Sequence, residues 1–246
     1  MSLKKRAKSS STELLLAFDT KDDSEYNYII YVDEAGRGCL AGPVYVGAVV
    51  WPQIMEKDDV TWKSIRDSKK LTKKKRETLV PYIEKVAYTA VGTASVSEID
   101  EHNILNATFM AMHRAISQVI KYLGPHVTAD DILLCIDGNS FKPYMHQGTF
   151  LSHICIPQGD DTYVGIAAAS ILAKVKHDHH IRNLCVKDPS LNEKYGWIKN
   201  VCYGTKQHRD GIAQHGLTSY HRTTFGNYGG EKRYDHHDKG LSKAFL

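Results

Sequence analysis

Cysteine is scarce in this chain of 246 residues, with five in all, at positions 39, 135, 155, 185 and 202. The number is odd, the spacing is wide and no C-x-x-C pair occurs. A zinc ribbon, a thioredoxin-like centre and a secreted disulfide framework are thereby excluded. Cys135 and Cys155 lie between apolar neighbours in predicted strands and are expected to be reduced, buried and chemically silent. No apolar run approaches the roughly 20 residues needed to span a bilayer. The basic N-terminus (Lys4, Lys5, Arg6, Lys8) is followed only by Leu14–Phe18, too short for the apolar core of a secretion signal. Internal repeats are also missing. A monomeric, intracellular protein of the cytoplasm is the expectation.

What is there suits an ordinary folded domain. The apolar share is 42%, enough for a core without metal or disulfide staples. Residues 1–26 are polar and charged and read as a mobile leader; residues 226–246, rich in Gly, Tyr, His and charge, read as a second tail. One domain is expected over 27–225. The net charge of +4 only mildly favours an anionic partner, but Lys69, Lys70, Lys73, Lys74, Lys75 and Arg76 form a local basic run, a candidate phosphate track.

Between the tails the apolar pattern alternates in period. Tyr28–Val32 and Val44–Trp51 predict a hairpin, Val86–Ser97 a third strand with its core at Val86–Val91, and Ile132–Ile136 and Ile154–Ile156 two more. Thr72 can cap a helix running through Lys85, with Pro81 as a candidate kink. Ile104–Leu123 has a broad apolar face and a stop at Gly124. Asp161 can cap a third helix, in which Ala167–Ala169 would allow close approach to a sheet. The class is α/β, a mixed sheet flanked by helices.

The sharpest segment is Ile30-Tyr31-Val32-Asp33-Glu34-Ala35-Gly36-Arg37-Gly38. A buried strand delivers two adjacent carboxylates into a turn that glycines make easy. Adjacent strand residues face opposite sides, so both reach one point only where the strand ends or twists. Gly36-x-Gly38-x-x-Ala41 also fits the dinucleotide-binding pattern, but that pattern needs a helix next, and a strand follows. Asp137 ends another apolar run and precedes Gly138. Asp178 shares a helical stripe with Ser170 and Lys174 at successive i+4 steps. Oxygen ligands without cysteine, and without a spacing such as H-E-x-x-H, suit Mg2+ or Mn2+ better than zinc. His177, His179 and His180 fan around a helix and are expected on the surface.

Together, Asp33-Glu34-Ala35-Gly36-Arg37-Gly38, Asp67-Ser68-Lys69-Lys70-Leu71, Asp137-Gly138, Gly159-Asp160, Ile166–Val175, Tyr195-Gly196, Gly204-Thr205-Lys206-x-His208 and His221-Arg222-x-x-Phe225 resemble the motifs of the ribonuclease HII family. They run in family order over about residues 27–225. Ala35, where the related type 3 enzymes carry serine, favours type 2. The resemblance implies a ribonuclease H-like fold with a small helical C-terminal part. It implies hydrolysis of the RNA strand of RNA–DNA hybrids, and incision 5′ of ribonucleotides embedded in duplex DNA, leaving 3′-hydroxyl and 5′-phosphate ends.

Carried over by motif, Asp33, Glu34, Asp137 and Asp178 are the catalytic, metal-holding acids for two Mg2+ or Mn2+ ions. Gly36, Arg37 and Gly38 are the sensor of the ribose 2′-hydroxyl, Tyr203 stacks on the sugar at the RNA-to-DNA junction, and Ser68 and Lys69 hold backbone phosphate. Gln158, Gly165 and His177 stand where the family usually has lysine, serine and arginine. Two rival classes lose ground: an inactive hybrid-binding module should lack one of the acids, and an integrase-like enzyme should lack the Gly-Arg-Gly sensor. Lys239–Leu246 faintly resembles a sliding-clamp-binding peptide, with its Leu-to-Phe spacing one residue too long.

Overall fold

The computed structural model describes residues 26–52 and 59–225. Both tails apart from Tyr26, and with them Lys239–Leu246, lie outside the described residues. A five-stranded mixed sheet is built from β1 (Tyr28–Ala35), β2 (Val44–Val50), β3 (Tyr88–Ala94), β4 (Ile132–Asp137) and β7 (Ser152–Ile156), in the order β3-β2-β1-β4-β7. β1 runs antiparallel to β2 and parallel to β4, and β7 is parallel to β4. A two-stranded ribbon of β5 (Met145–His146) and β6 (Thr149–Phe150), absent from the sequence reading, projects beside it.

Alternation along the strands divides the core. Ile30, Val32, Val46, Ala48, Leu134 and Ile136 face α2 (Val96–Leu123), whose Ala107, Ala111, Ala115 and Val119 bury against them. Ile29, Tyr31, Val49, Leu133 and Cys135 face the other way, onto α1 (Lys73–Val86) and α3 (Val164–Lys187). The middle of α3 is buried on every side, which is why its sequence is apolar throughout and small at Ala167–Ala169. A third cluster joins Ile181 and Cys185 of α3 to Cys39, Ala41 and the short helices α4 (Ser190–Tyr195), α5 (Trp197–Asn200) and α6 (Lys206–His215). This is the small helical C-terminal part.

Several boundaries differ from the sequence reading. α1 runs past Pro81 as expected, with Leu79, Val80 and Ile83 buried around it, but it ends one residue beyond Lys85. The helix therefore claims Val86, and β3 starts two residues later, at Tyr88. α2 begins at Val96, where Ser95 and Glu98 form a reciprocal capping box. Asn103 interrupts it at φ 64°, and its Oδ1 accepts from the N–H groups of Leu105 and Asn106 to restart the helix. Only that second half was legible as a period. Asp161 caps nothing on α3: it lies in the preceding 3-10 turn and pairs with Lys70. Cys135 is buried as expected, whereas Cys155 is only half-buried.

Helix-to-sheet contact is closest at Gly47 of β2, where a Cβ would lie 2.4 Å from the carbonyl oxygen of Ala169. At Gly165 a Cβ would lie 2.1 Å from the Tyr31 ring, so a tyrosine fills the space that a serine at 165 would need. The Gly47 contact is to backbone, which cannot swing aside. Gly47→Ala should therefore destabilise the fold by about 1–3 kcal/mol, read as a lower midpoint in denaturant unfolding. An unchanged midpoint would show that α3 can lift off the sheet freely.

Candidate active site

β1 and β4 pair in parallel with Val32 opposite Ile136, so the next residues, Asp33 and Asp137, stand side by side at the carboxyl ends of the central strands. Ligand sites in open α/β sheets form at such ends. Asp33 is 5% exposed and lies on the α3 face. Its carboxylate accepts from the Glu34 N–H at 2.7 Å and faces the hydroxyl of Ser170, which is itself bonded to Ser68 Oγ at 2.9 Å. Glu34 points to the opposite face of the pleat, and its carboxylate lies 3.6 Å from the Arg37 guanidinium. Asp137 accepts from the Gly159 N–H at 2.7 Å.

The charges conflict. Burial, then the charges of Glu34 and Asp137, hold the Asp33 carboxyl well above its ordinary range, against the pull of the Ser170 hydroxyl. Burial also raises Asp137, against donors at Gly159 and the Lys69 ammonium. Asp160, 6% exposed, is pushed up to about 6 by burial, then by Asp137 and Asp67, with which it shares a hydrogen bond. Asp160 belongs to the Gly159-Asp160 motif, but nothing in the sequence alone assigns it a role. Its signal was the placement of a third acid just after a strand end.

Asp178 lives differently. Lys174 Nζ is 2.9 Å away, His177 Nδ1 3.0 Å and Arg76 Nη2 3.9 Å. Burial alone would raise its pKa, but the His177 bond and Lys174 outweigh it and leave it below the ordinary range. Its i+4 stripe with Lys174 thus forms as expected. His177 does not lie on the surface: it is fully buried, because the Gly36 backbone packs directly on its ring. Its Nε2 lies 3.7 Å from Cys39 Sγ. This resembles a Cys-His-Asp triad, but burial pushes the Cys39 thiol up to about 12 and leaves it no route to a substrate, so it is no nucleophile.

The basic run divides. Lys69 faces Asp160, Asp67, Asp33 and Asp137. Lys70 pairs with Asp161, Lys73 lies 3.9 Å from Glu77, and Arg76 donates to the carbonyls of Ser68 and Leu71. Ser68 is buried, its hydroxyl turned to Ser170. Lys74 and Lys75 remain exposed.

The turn after β1 meets the C-terminal part. Gly36 adopts φ +85°, and a Cβ there would lie 2.6 Å from His177 Cδ2; Gly38 is open, with Tyr203 Cε1 3.9 Å from where a Cβ would sit. Tyr203 pairs with Cys39 in an isolated bridge and has Lys174 Nζ 5.1 Å from its ring centre. Gly38 and Tyr203 are thus exposed neighbours, joined to Asp178 through Lys174.

The oxygen donors Asp33, Glu34 and Asp137 fit a hard divalent cation in kind, and Asp33 and Asp137 are crowded and buried enough to hold their protons. As they stand, no three acid, histidine or cysteine side chains among the described residues converge to chelate one. Asp33 and Asp137 each keep an oxygen on a backbone N–H.

A raised pKa makes the metal-free fold less stable as pH climbs. The unfolded chain ionises Asp160 near 3.8, the folded chain only near 6, so stability is present below 3.8 and lost as pH rises through about 6. Asp160→Asn should flatten this part of the stability–pH curve, measured by denaturant unfolding in chelator. A slope identical to wild type would remove Asp160 from the conflict.

A sequence profile described as Ribonuclease HII matches residues 30–228. A ribonuclease HII of Parabacteroides distasonis is 46% identical over 194 residues, covering 78% of this chain and 87% of that protein. Among solved structures, that of the PCNA:RNase HII complex from Archaeoglobus fulgidus aligns with TM-score 0.58 and 24% identity, over 85% of this chain and 98% of that one. A ribonuclease HIII (Bst) in complex with Mn2+ aligns with TM-score 0.57 and 16% identity, over 79% and 65%. At such identities the two structures establish the ribonuclease H-like fold alone. The profile and the 46% identity go further: the chain belongs to the ribonuclease HII family and is an endoribonuclease that hydrolyses the RNA strand of RNA–DNA hybrids.

Proposed function

We propose that this enzyme also incises duplex DNA on the 5′ side of a single embedded ribonucleotide, with Mg2+ or Mn2+ held by Asp33, Glu34, Asp137 and Asp178. The observation that carries the reading is the juxtaposition of Asp33 and Asp137 with the turn Gly36–Gly38 and the exposed ring of Tyr203. Hydrolysis of a phosphodiester needs a deprotonated water in line with the leaving O3′, and divalent cations, when bound, supply that water and stabilise both oxygens.

The chain's own groups do the rest. Lys69, facing four carboxylates, offsets part of their repulsion and lies where a phosphate would approach. Ser68, bonded to Ser170 beneath Asp33, supports the site through its hydroxyl and leaves phosphate contact to its backbone and to Lys69. Arg37 is exposed at the rim and offers a charge to the substrate backbone. The main-chain groups of Gly36–Gly38 read the 2′-hydroxyl, the group that separates RNA from DNA. The Tyr203 ring supplies a flat apolar face to the neighbouring sugar.

Asp33→Asn, Glu34→Gln and Asp137→Asn should each lower cleavage by about 100-fold or more while the fold persists, since each removes a charge that the transition state needs. The assay is single-turnover cleavage of duplexes with one, four or no ribonucleotides, in Mg2+, in Mn2+ and in chelator. Wild-type cleavage of the all-deoxy duplex at a comparable rate would overturn the reading.

Gly38→Ala and Tyr203→Ala probe the surface where the sugar would lie. The alanine at 38 meets nothing closer than 3.9 Å in the free protein, so thermal stability should hold while cleavage at a single ribonucleotide falls at least about tenfold. Tyr203→Phe should keep most activity and Tyr203→Ala should not. Full activity in both alanine variants would move the sugar elsewhere.

A further inference from the structure

Arg222 is fully buried, in a segment that no chemistry described so far uses. A buried guanidinium is costly unless its donors are satisfied. Here Nε donates to the carbonyl of Gly42 at 2.9 Å, Nη1 to that of Arg37 at 2.9 Å and Nη2 to that of Gly36 at 2.7 Å. The ring of Phe225 lies 4.8 Å from its central carbon. One side chain thus holds three carbonyls of the turn that follows β1. Two of them belong to residues of the sugar-reading turn.

The residue before it holds the other half of the reader. The Trp197 indole donates to His208 Nε2 at 2.9 Å, so His208 carries its proton on Nδ1, which faces the carbonyl of Tyr203 at 3.1 Å. The Thr218 N–H points at His221 Nδ1 at 2.9 Å, so His221 carries its proton on Nε2, which packs 3.1 Å from His208 Nε2 and shares with the Trp197 indole the one lone pair there. His221 therefore fixes Tyr203 through His208, while Arg222 fixes Gly36 and Arg37. The segment is pinned in turn from α2, where the Asp100 carboxylate accepts N–H and hydroxyl bonds from both Thr223 and Thr224.

We propose that Arg222 is a positioning residue for ribonucleotide selection: by clamping the carbonyls of Gly36 and Arg37, it keeps the other backbone groups of the turn aimed at the sugar and in register with Tyr203. The inference rests on reading Gly36–Gly38 and Tyr203 as the sugar-contacting pair. An ammonium at this position reaches at most part of the fan of three carbonyls, so lysine keeps the charge and loses the geometry.

The test compares affinities for a duplex with one embedded ribonucleotide and for its all-deoxy counterpart, in an Asp137→Asn background that prevents cleavage. Arg222→Lys should lower the ratio of the two affinities about tenfold or more, with all-deoxy binding held within about twofold by phosphate contacts. Asp100→Ala, an outer anchor exchanged at lower risk to folding, should shift the ratio the same way by a smaller factor. It decides the matter if Arg222→Lys fails to fold. Loss of affinity equal on both duplexes is what mere loosening of the fold would give, and it overturns the proposal. So does a wild-type ratio retained in both variants. A wild-type ratio near one would instead sink the sugar-reading assignment, a separate and distinguishable result.

Discussion

The parallel register of β1 with β4 carries the most consequence in this molecule. Side chains on a strand alternate between faces, so a slip of one residue would turn every side chain of β1 over. With Val32 opposite Ile136, Asp33 and Asp137 come out adjacent, and the apolar residues before them fall correctly onto α2 on one side and α3 on the other. The same hydrophobic partition that builds the core therefore brings two like charges together at its rim. Separating them would cost the burial of both helices. The repulsion persists because the core enforces it.

Around this pair the protein distributes compensation unevenly. Asp178 is tied to Lys174, His177 and Arg76 and is stable as an anion. Asp33 and Asp137 have backbone donors, Asp160 only its bond with Asp67, and the three share one lysine, so their protons are held more tightly than normal. Under the proposed metal site, a cation would meet two kinds of acid: Asp33 and Asp137, which would give up protons, and Asp178, which would loosen its hold on a salt bridge. Binding of metal should accordingly release protons.

Much of this was legible in the sequence, for reasons that can be named. The strands ending in Asp33 and Asp137 announce themselves as β-branched and apolar runs that stop at an acid followed closely by glycine. The i+4 stripe of Ser170, Lys174 and Asp178 is a matter of helical period. What escaped is what depends on distant partners. His177 looked like a surface residue because neighbouring histidines and charges surround it in sequence, yet the Gly36 turn covers it. Asp161 had the right residue type for a cap but found Lys70 instead. Arg222 gave no periodic or compositional signal, since its three acceptors lie some 180 residues earlier in the chain.

The contact between Tyr31 and Gly165 bears on how such a chain can change over time. The ring occupies the volume into which any side chain at 165 would project, and Tyr31 is itself buried, 1% exposed. The two positions are thus epistatic. A serine at 165 is admissible only after residue 31 has become smaller, and a tyrosine at 31 only while 165 is glycine. A mutational path from this sequence to one with serine at 165 must pass through the pair of small residues, an underpacked intermediate, and the order of the two steps is dictated by sterics before selection acts on either.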